Sequence, residues 1–206
     1  MPAPSSDVAF TPSVKAVQEK RGSRSHFAKI EETGGWRTAI AADLAAFLVD
    51  ARSFYLATAS ANGQPYVQHR GGPAGFLHVL DEHTLGFADF KGNRQFITTG
   101  NLAENAKAFI FVMDYSRRRR VKLWGRARVL AGEEGLLARL WPEGDQARVE
   151  QVILFTVTAW DTNCAQHIPQ MFHAEDVGHT LQQFQARIRE LEAEVAALKS
   201  GGRSSA

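Results

Sequence analysis

Cysteine is nearly missing from this chain of 206 residues, with Cys164 standing alone. That excludes an intramolecular disulfide and makes a reducing compartment, the cytoplasm, the expected location. No apolar run approaches the length needed to cross a bilayer, and the opening Met-Pro-Ala-Pro-Ser-Ser-Asp has no basic start followed by an apolar stretch, so no membrane association is expected. Charge of one sign is also lacking: 24 basic against 22 acidic side chains leave a formal net charge of +2. A whole-molecule basic field that would gather nucleic acid is therefore excluded. The sequence has no Walker-type phosphate loop, no G-x-G-x-x-G after a strand and no G-x-S-x-G elbow, which removes the simplest nucleotide-triphosphatase, dinucleotide and hydrolase readings.

What remains is the composition of a single globular body, 44% hydrophobic, 22% charged and 10% aromatic, long enough to bury a core without a staple. Residues 1 to about 12, rich in Pro, Ser and Ala, read as a loose arm. Between Trp36 and Val49, Ile40, Leu44, Phe47 and Leu48 recur at helical spacing. From Ser53 the period drops to two. Phe54–Ala59 and Tyr66–Arg70 flank Asn62-Gly63, a strong hairpin signal because both turn residues tolerate positive φ.

Further strands are expected at Phe76–Leu80, Thr84–Phe90, Ala108–Tyr115, Val121–Leu130 and Val152–Trp160, with short helices at Arg94–Gly100 and Glu133–Leu140. Many strands joined by turn-rich connections, without regular strand–helix alternation, point to a mainly β fold with flanking helices (α+β) and an antiparallel barrel. A C-terminal amphipathic helix is expected over 179–206, ending at Gly201 before a disordered tail. Thr180 and Gln183 suggest a capping box, and Leu181, Phe184, Ile188, Leu191, Val195 and Leu198 follow at alternating three and four spacing. The implied organisation is an N-terminal segment 1–52, a barrel 53–178 and the helix with its tail.

Three polar clusters sit beside strands. Gln68-His69-Arg70-Gly71-Gly72-Pro73 reads either as an edge strand entering a turn or as an amide, imidazole and guanidinium set against a flat polar ligand that the glycines let approach. Gly92-Asn93-Arg94-Gln95, at the start of an expected helix, is either an ordinary turn and cap or a cradle of free N–H groups and a guanidinium suited to a phosphate dianion. Arg117–Arg120 with Lys122 is either a solvated hairpin turn or a phosphate-facing patch, and Arg120 and Lys122 share one strand face. Cys164, His167 and His173 do not fill a tetrahedral zinc set, and Cys164 with His167 at such local spacing is a poor nucleophile–base pair. His26, His78, His83 and His179 read as surface or core residues.

The segments FYLATASANGQPYVQHRGG, LGFADFKGNRQF, NLAENAKAFIFVMDY, RRRRVKLWGRARV and TVTAWDTNCAQHI, in that order, resemble the pyridoxamine 5′-phosphate oxidase-related, FMN-binding split-barrel family over most of Ser53–Phe172. The resemblance implies a six-stranded antiparallel split β-barrel, a homodimer with FMN at the subunit interface, and a small-molecule substrate. It implies that Gln68, His69, Arg70 and Gly71 run along the flavin with Ala88 and Asp89 near the ring, and that Asn93, Arg94 and Gln95 hold the phosphate. It further implies a flavin contact from Arg120, given to the partner's site across the interface, a nearby Trp160, and Gln166 or His167 as a late polar contact. By their charge and polarity Gln68, Arg70 and Lys122 suit the task of holding the ring and stabilising negative charge on reduction. An FMN-dependent oxidoreductase is the expected activity. A flavin carrier or sensor without turnover, or a barrel using deazaflavin or haem, are the alternatives. Pro73 and Asn163–His167 depart from the lysine and the Arg-x-His clamp of true pyridoxamine oxidases, which implies a different substrate.

Overall fold

The computed structural model describes residues 3–132, 134–140, 149–163 and 165–201. The chain divides into two compact units: residues up to Asp114 with Arg119–Gln166, and Tyr115–Arg118 with the residues from His167 onward.

In the first unit the described strands are β1 (Ser53–Ala59), β2 (Pro65–Gly71), β3 (His78–Val79), β4 (Thr84–Phe90), β5 (Lys107–Asp114), β6 (Arg119–Leu130) and β7 (Val149–Asn163). They form one antiparallel sheet in the order β2-β1-β5-β6-β7-β4-β3. Strict alternation sets its two faces. Phe54, Leu56 and Thr58 of β1, Ile110 and Val112 of β5, and Val121, Leu123 and Ala127 of β6 turn inward and are buried, while Tyr55 and Val67 on the other face are exposed.

The sheet curls on itself. Phe54 of β1 meets Phe87 of β4 edge-on at 5.0 Å and stacks on Phe76 at 5.5 Å, although β1 and β4 stand near opposite ends of the strand order. Side chains therefore close the interior where no strand pairing does, which is a split barrel. The expected strand Phe76–Leu80 shrinks to the two residues of β3 because Phe76 and Leu77 turn into the core. The sheet thus has the seven strands read from the sequence, one more than the family resemblance implies.

Two bulges shape the sheet. Between β6 and β7 the register shifts at Trp124/Gly125 and leaves Thr158 as the extra residue, its hydroxyl donating to the Trp124 carbonyl at 3.1 Å. A Cβ on Gly125 would lie 2.2 Å from the Thr156 carbonyl, so the close approach requires glycine. The second bulge lies between β4 and β7 at Asp89/Phe90 and leaves Glu150 unpaired in the ladder.

Among the helices are α1 (Pro12–Lys20), α2 (Arg24–Glu32), α3 (Ala42–Val49), α4 (Ile97–Glu104) and α5 (Glu134–Leu140). Leu44, Phe47 and Leu48 of α3 enter the main core, and Leu140 of α5 packs on Val152 and Leu154 of β7. Helix α3 starts at Ala42 rather than Trp36 because the preceding segment runs beside the sheet: the Trp160 amide donates to the Arg37 carbonyl at 2.8 Å, and Trp36 stacks on Trp124 at 4.6 Å.

The described part of the expected loose arm is ordered. Residues Ser5–Val8 make a 3₁₀ turn, Ser6 is fully buried, and the Ser5 amide donates to the Gly34 carbonyl at 2.9 Å. Lys15 bridges Asp7 at 2.7 Å and Glu31 at 3.3 Å, and Arg24 hydrogen-bonds both Glu31 and Gln18. The Arg24 guanidinium, aided by Lys15, holds the Glu31 carboxyl below its ordinary range.

The second unit carries α6 (Ala174–Gly201). This helix begins six residues before the expected capping box. Thr180 is interior, its hydroxyl donating back to the Asp176 carbonyl at 3.0 Å, so it caps nothing. No helix among the described residues is long and apolar enough to cross a membrane. Met1, Pro2, Glu133, Cys164 and the tail 202–206, on which parts of the sequence reading fell, lie outside the described residues.

Candidate functional site

The inward face of β2 carries Tyr66, Gln68 and Arg70, because these pair directly with the inward Thr58, Leu56 and Phe54 of β1. Together with Asp89, the Gly92–Thr99 segment and Glu150 they line a shallow polar cleft. Arg70 is ion-paired with Asp89, both side chains being 11% exposed. The second oxygen of Asp89 accepts from Gln151 Nε2 at 2.7 Å, and the same nitrogen donates to Thr99 Oγ1 at 2.8 Å. Gln151 reaches Asp89 because the two are cross-strand partners, and Glu150 enters the cleft because it is the bulged residue beside them.

Helix α4 closes the other side. The Thr98 hydroxyl donates to Gln68 Oε1 at 2.8 Å, and Asn101 Nδ2 donates to Thr58 Oγ1 at 3.0 Å, so the helix is tied to β1 and β2 by its first two turns. It starts at Ile97, not Arg94. Arg94 and Phe96 adopt left-handed backbone at φ 59° and 52°, and Asn93 Oδ1 accepts from the Gln95 amide at 3.2 Å, which makes a turn before the helix. No side chain caps the helix N-terminus. Its first N–H groups and their partial positive charge therefore remain available to a ligand.

Arg94 stands at this end with 60% of its side chain exposed, 3.8 Å from Glu150 and over the Phe96 ring at 5.6 Å. Uncapped amides beside a largely exposed guanidinium suit a phosphate dianion. At the cleft Arg70 pairs with Asp89 through its terminal nitrogen while its buried Nε has no acceptor. One unpartnered donor beside the uncapped helix end is compatible with the carbonyl and phosphate oxygens of a flavin nucleotide.

Of the residues singled out in the sequence, Gln68, Arg70, Asp89, Asn93, Arg94 and Gln95 converge on this cleft. His69 and Gly71 do not, because alternation turns them to the outer face, where His69 meets the Tyr55 ring at 5.6 Å. Ala88 points away from Asp89 and is buried opposite Val152. Lys122 and Arg120 are on the outer face of β6, with Lys122 paired to Asp161 at 2.8 Å and lying 5.4 and 5.3 Å from the Trp36 and Trp124 rings.

Trp160 is 4% exposed in the core, its indole N–H donating to the Ala39 carbonyl at 2.8 Å and its ring covered by Arg37 at 4.2 Å. Gln166 is exposed after β7, and His167, with φ 63°, belongs to the second unit. Tyr66, Thr98, Thr99, Glu150 and Gln151 were not singled out. Their place depends on strand register and on a bulge, for which the sequence alone carries no signal. Among the described residues no three His, Cys, Asp or Glu side chains form a metal-binding group.

A family described as Pyridoxamine 5′-phosphate oxidase matches residues 40–164 of the chain. No curated protein sequence matches it. Solved structures similar to it include HupZ from Group A Streptococcus, at 19% identity over 64% of this chain and 99% of that one with a TM-score of 0.49. An FMN-binding protein from Syntrophomonas wolfei is 13% identical over 74% and 97% of the two chains with a TM-score of 0.45. A protein from Clostridium acetobutylicum related to general stress protein 26 is 14% identical over 62% and 89% with a TM-score of 0.41.

Proposed function

Because the chain belongs to the pyridoxamine 5′-phosphate oxidase family, we propose that it binds FMN with the phosphate at the N-terminus of α4 and acts as an oxidoreductase on a small organic or nicotinamide substrate. The observation that carries this reading is the uncapped start of α4 beside the exposed Arg94, both opening on a cleft whose floor is Gln68 and Arg70. Arg94 and the α4 amides hold the phosphate. Gln68 keeps amide donors for ring oxygens because its own carbonyl is already engaged by Thr98. Arg70 is fixed in place by Asp89 and supplies positive charge beside the ring.

FMN, when bound, supplies the acceptor for a hydride, and what the protein adds is orientation and electrostatics. Such chemistry requires no nucleophile–base pair. The cleft is correspondingly lined by guanidinium, amide, hydroxyl and carboxylate groups, with neither histidine nor cysteine among its described lining residues.

The same reading places the site in a homodimer, supported by Tyr55 and Val67, 38% and 59% exposed on the outer face of β1 and β2 beside His69. Pyridoxamine phosphate is not the substrate we infer, since Pro73 stands where the true oxidases have a lysine. The test is the visible spectrum of protein purified without added cofactor, followed by titration with FMN. Paired flavin bands, or tight uptake of FMN with quenching of its fluorescence, are expected. A colourless protein that ignores added FMN overturns the reading. Sedimentation of the same sample checks the dimer.

A further inference from the structure

Helix α6 is 28 residues long, and its apolar stripe lacks cover: Leu181, Phe184, Ile188, Leu191, Val195 and Leu198 are between 43% and 70% exposed. A stripe of this length is costly in water and marks an interaction surface. Its spacing of three and four residues is that of a heptad, with Leu181, Ile188 and Val195 at the a positions and Phe184, Leu191 and Leu198 at d. In the last two heptads Ile188 and Val195 at a with Leu191 and Leu198 at d are the β-branched and leucine combination that favours two parallel strands, while the first heptad has Leu181 and Phe184.

The flanks carry the choice of partner. With this register the e positions are Gln185, Glu192 and Lys199 and the g positions Thr180, Arg187 and Glu194. In a parallel pair each g residue faces the e residue five places on in the other helix. Arg187 then meets the partner's Glu192, Glu194 meets the partner's Lys199, and Thr180 meets the partner's Gln185. Every charged flank residue finds an opposite charge. An antiparallel pair would match Arg187 only with the partner's Glu194, leaving Glu192 opposite a glutamine and Lys199 opposite a glycine. An anionic lipid surface fits poorly, because Glu175, Asp176, Glu190, Glu192 and Glu194 outnumber Arg187, Arg189 and Lys199 along the helix.

We propose that α6 pairs with α6 of a second copy of this chain as a parallel, in-register two-stranded coiled coil, placing Arg187 against the partner's Glu192 and Glu194 against the partner's Lys199. Three heptads are marginal alone. Tethering to the rest of the chain raises the effective concentration of one helix about the other whenever the copies associate elsewhere. The proposal does not rest on flavin binding.

The experiment uses the full chain with its sole cysteine removed by Cys164→Ser and one cysteine introduced, either Leu191→Cys at the seam or Ala193→Cys on the outer face. Under mild oxidation without flavin, Leu191→Cys is expected to cross-link at least about tenfold faster, because a disulfide requires Cα atoms within about 7 Å. Arg187→Glu in the Leu191→Cys background is expected to slow the cross-link several-fold, and adding Glu192→Arg to restore it. Equal rates for the two cysteines mean the helices do not pair and overturn the proposal, even if the protein sediments as a dimer. A fast seam cross-link that ignores the charge reversal overturns the parallel register. Flavin uptake is unaffected by these outcomes, so failure of this proposal and failure of the flavin reading are read separately.

Discussion

Arg70 of β2 and Asp89 of β4 form an ion pair, although their strands stand near opposite ends of the sheet order. The pair joins two sides of the split barrel where no backbone ladder does, and it forms part of the floor of the cleft. Asp89 is held in turn by Gln151, which also reaches Thr99 of α4. One polar chain therefore connects β2, β4, β7 and the helix whose N-terminus opens on the cleft.

Removing one member of this pair is expected to be far worse than removing both. Asp89→Ala leaves the Arg70 guanidinium nearly buried without a counter-charge and is expected to cost about 3–5 kcal/mol. Replacing both by apolar side chains, Arg70→Met with Asp89→Leu, recovers most of that stability. Urea unfolding at neutral pH checks both. FMN affinity of the double variant stays low even where stability returns, which separates the structural role of Arg70 from its role in binding.

Arg94 should behave in the opposite way. Its side chain is 60% exposed and its carboxylate neighbour is 3.8 Å away, so Arg94→Ala is expected to change stability by less than about 0.5 kcal/mol. FMN affinity should fall by about 1.5–3 kcal/mol, the range for a hydrogen bond to a charged group. Titration followed by quenching of flavin fluorescence measures the loss. Unchanged affinity would remove the phosphate from this end of the cleft.

The sequence made the barrel legible because its signals are local. Period-two burial in Phe54–Ala59 and the Asn62-Gly63 turn name the first hairpin, and the structure places Gly63 at φ 87° within it. Glycine and arginine ahead of a helix marked the cradle for the same reason. Residues whose position depends on pairing were not legible. Gln151 acts on Asp89 only because the β4–β7 register sets them opposite each other, and Glu150 enters the cleft only because a bulge displaces it. His69 and Gln68 are neighbours in sequence, yet the pleat sends them to opposite faces. The start of α4 shifted because two non-glycine residues take left-handed backbone, a choice their side chains do not announce.

Glu31 gives the N-terminal segment a dependence on pH. Its carboxyl is held below its ordinary 4.5, chiefly by the hydrogen bond from Arg24 and then by Lys15. A lowered folded value means that the unfolded chain binds the proton more readily. The contribution is therefore fully present above the ordinary value and is lost as pH falls through the folded one. Stability is expected to decline with acid below about pH 4.5, and Glu31→Gln should flatten that part of the curve while lowering stability at neutral pH. Urea titrations across this range, followed by the fluorescence of the tryptophans that include Trp36, test the sign.

Trp160 separates a residue that holds the fold from one that touches the ligand. Its ring is buried against Leu123 in the β6–β7 register, Arg37 lies over it at 4.2 Å, and its N–H is committed to the Ala39 carbonyl at 2.8 Å. Trp160→Phe keeps an aromatic ring but removes the donor from that half-buried carbonyl, and is expected to cost about 0.5–1.5 kcal/mol, the net worth of one hydrogen bond. Because the indole donor is already used within the fold, FMN affinity of the folded variant should match that of the parent. Unfolding and flavin titration on the same preparation decide it: lower stability with unchanged affinity assigns Trp160 to the link between the 37–39 segment and β7, whereas a loss of affinity at unchanged stability would move the ring to the ligand.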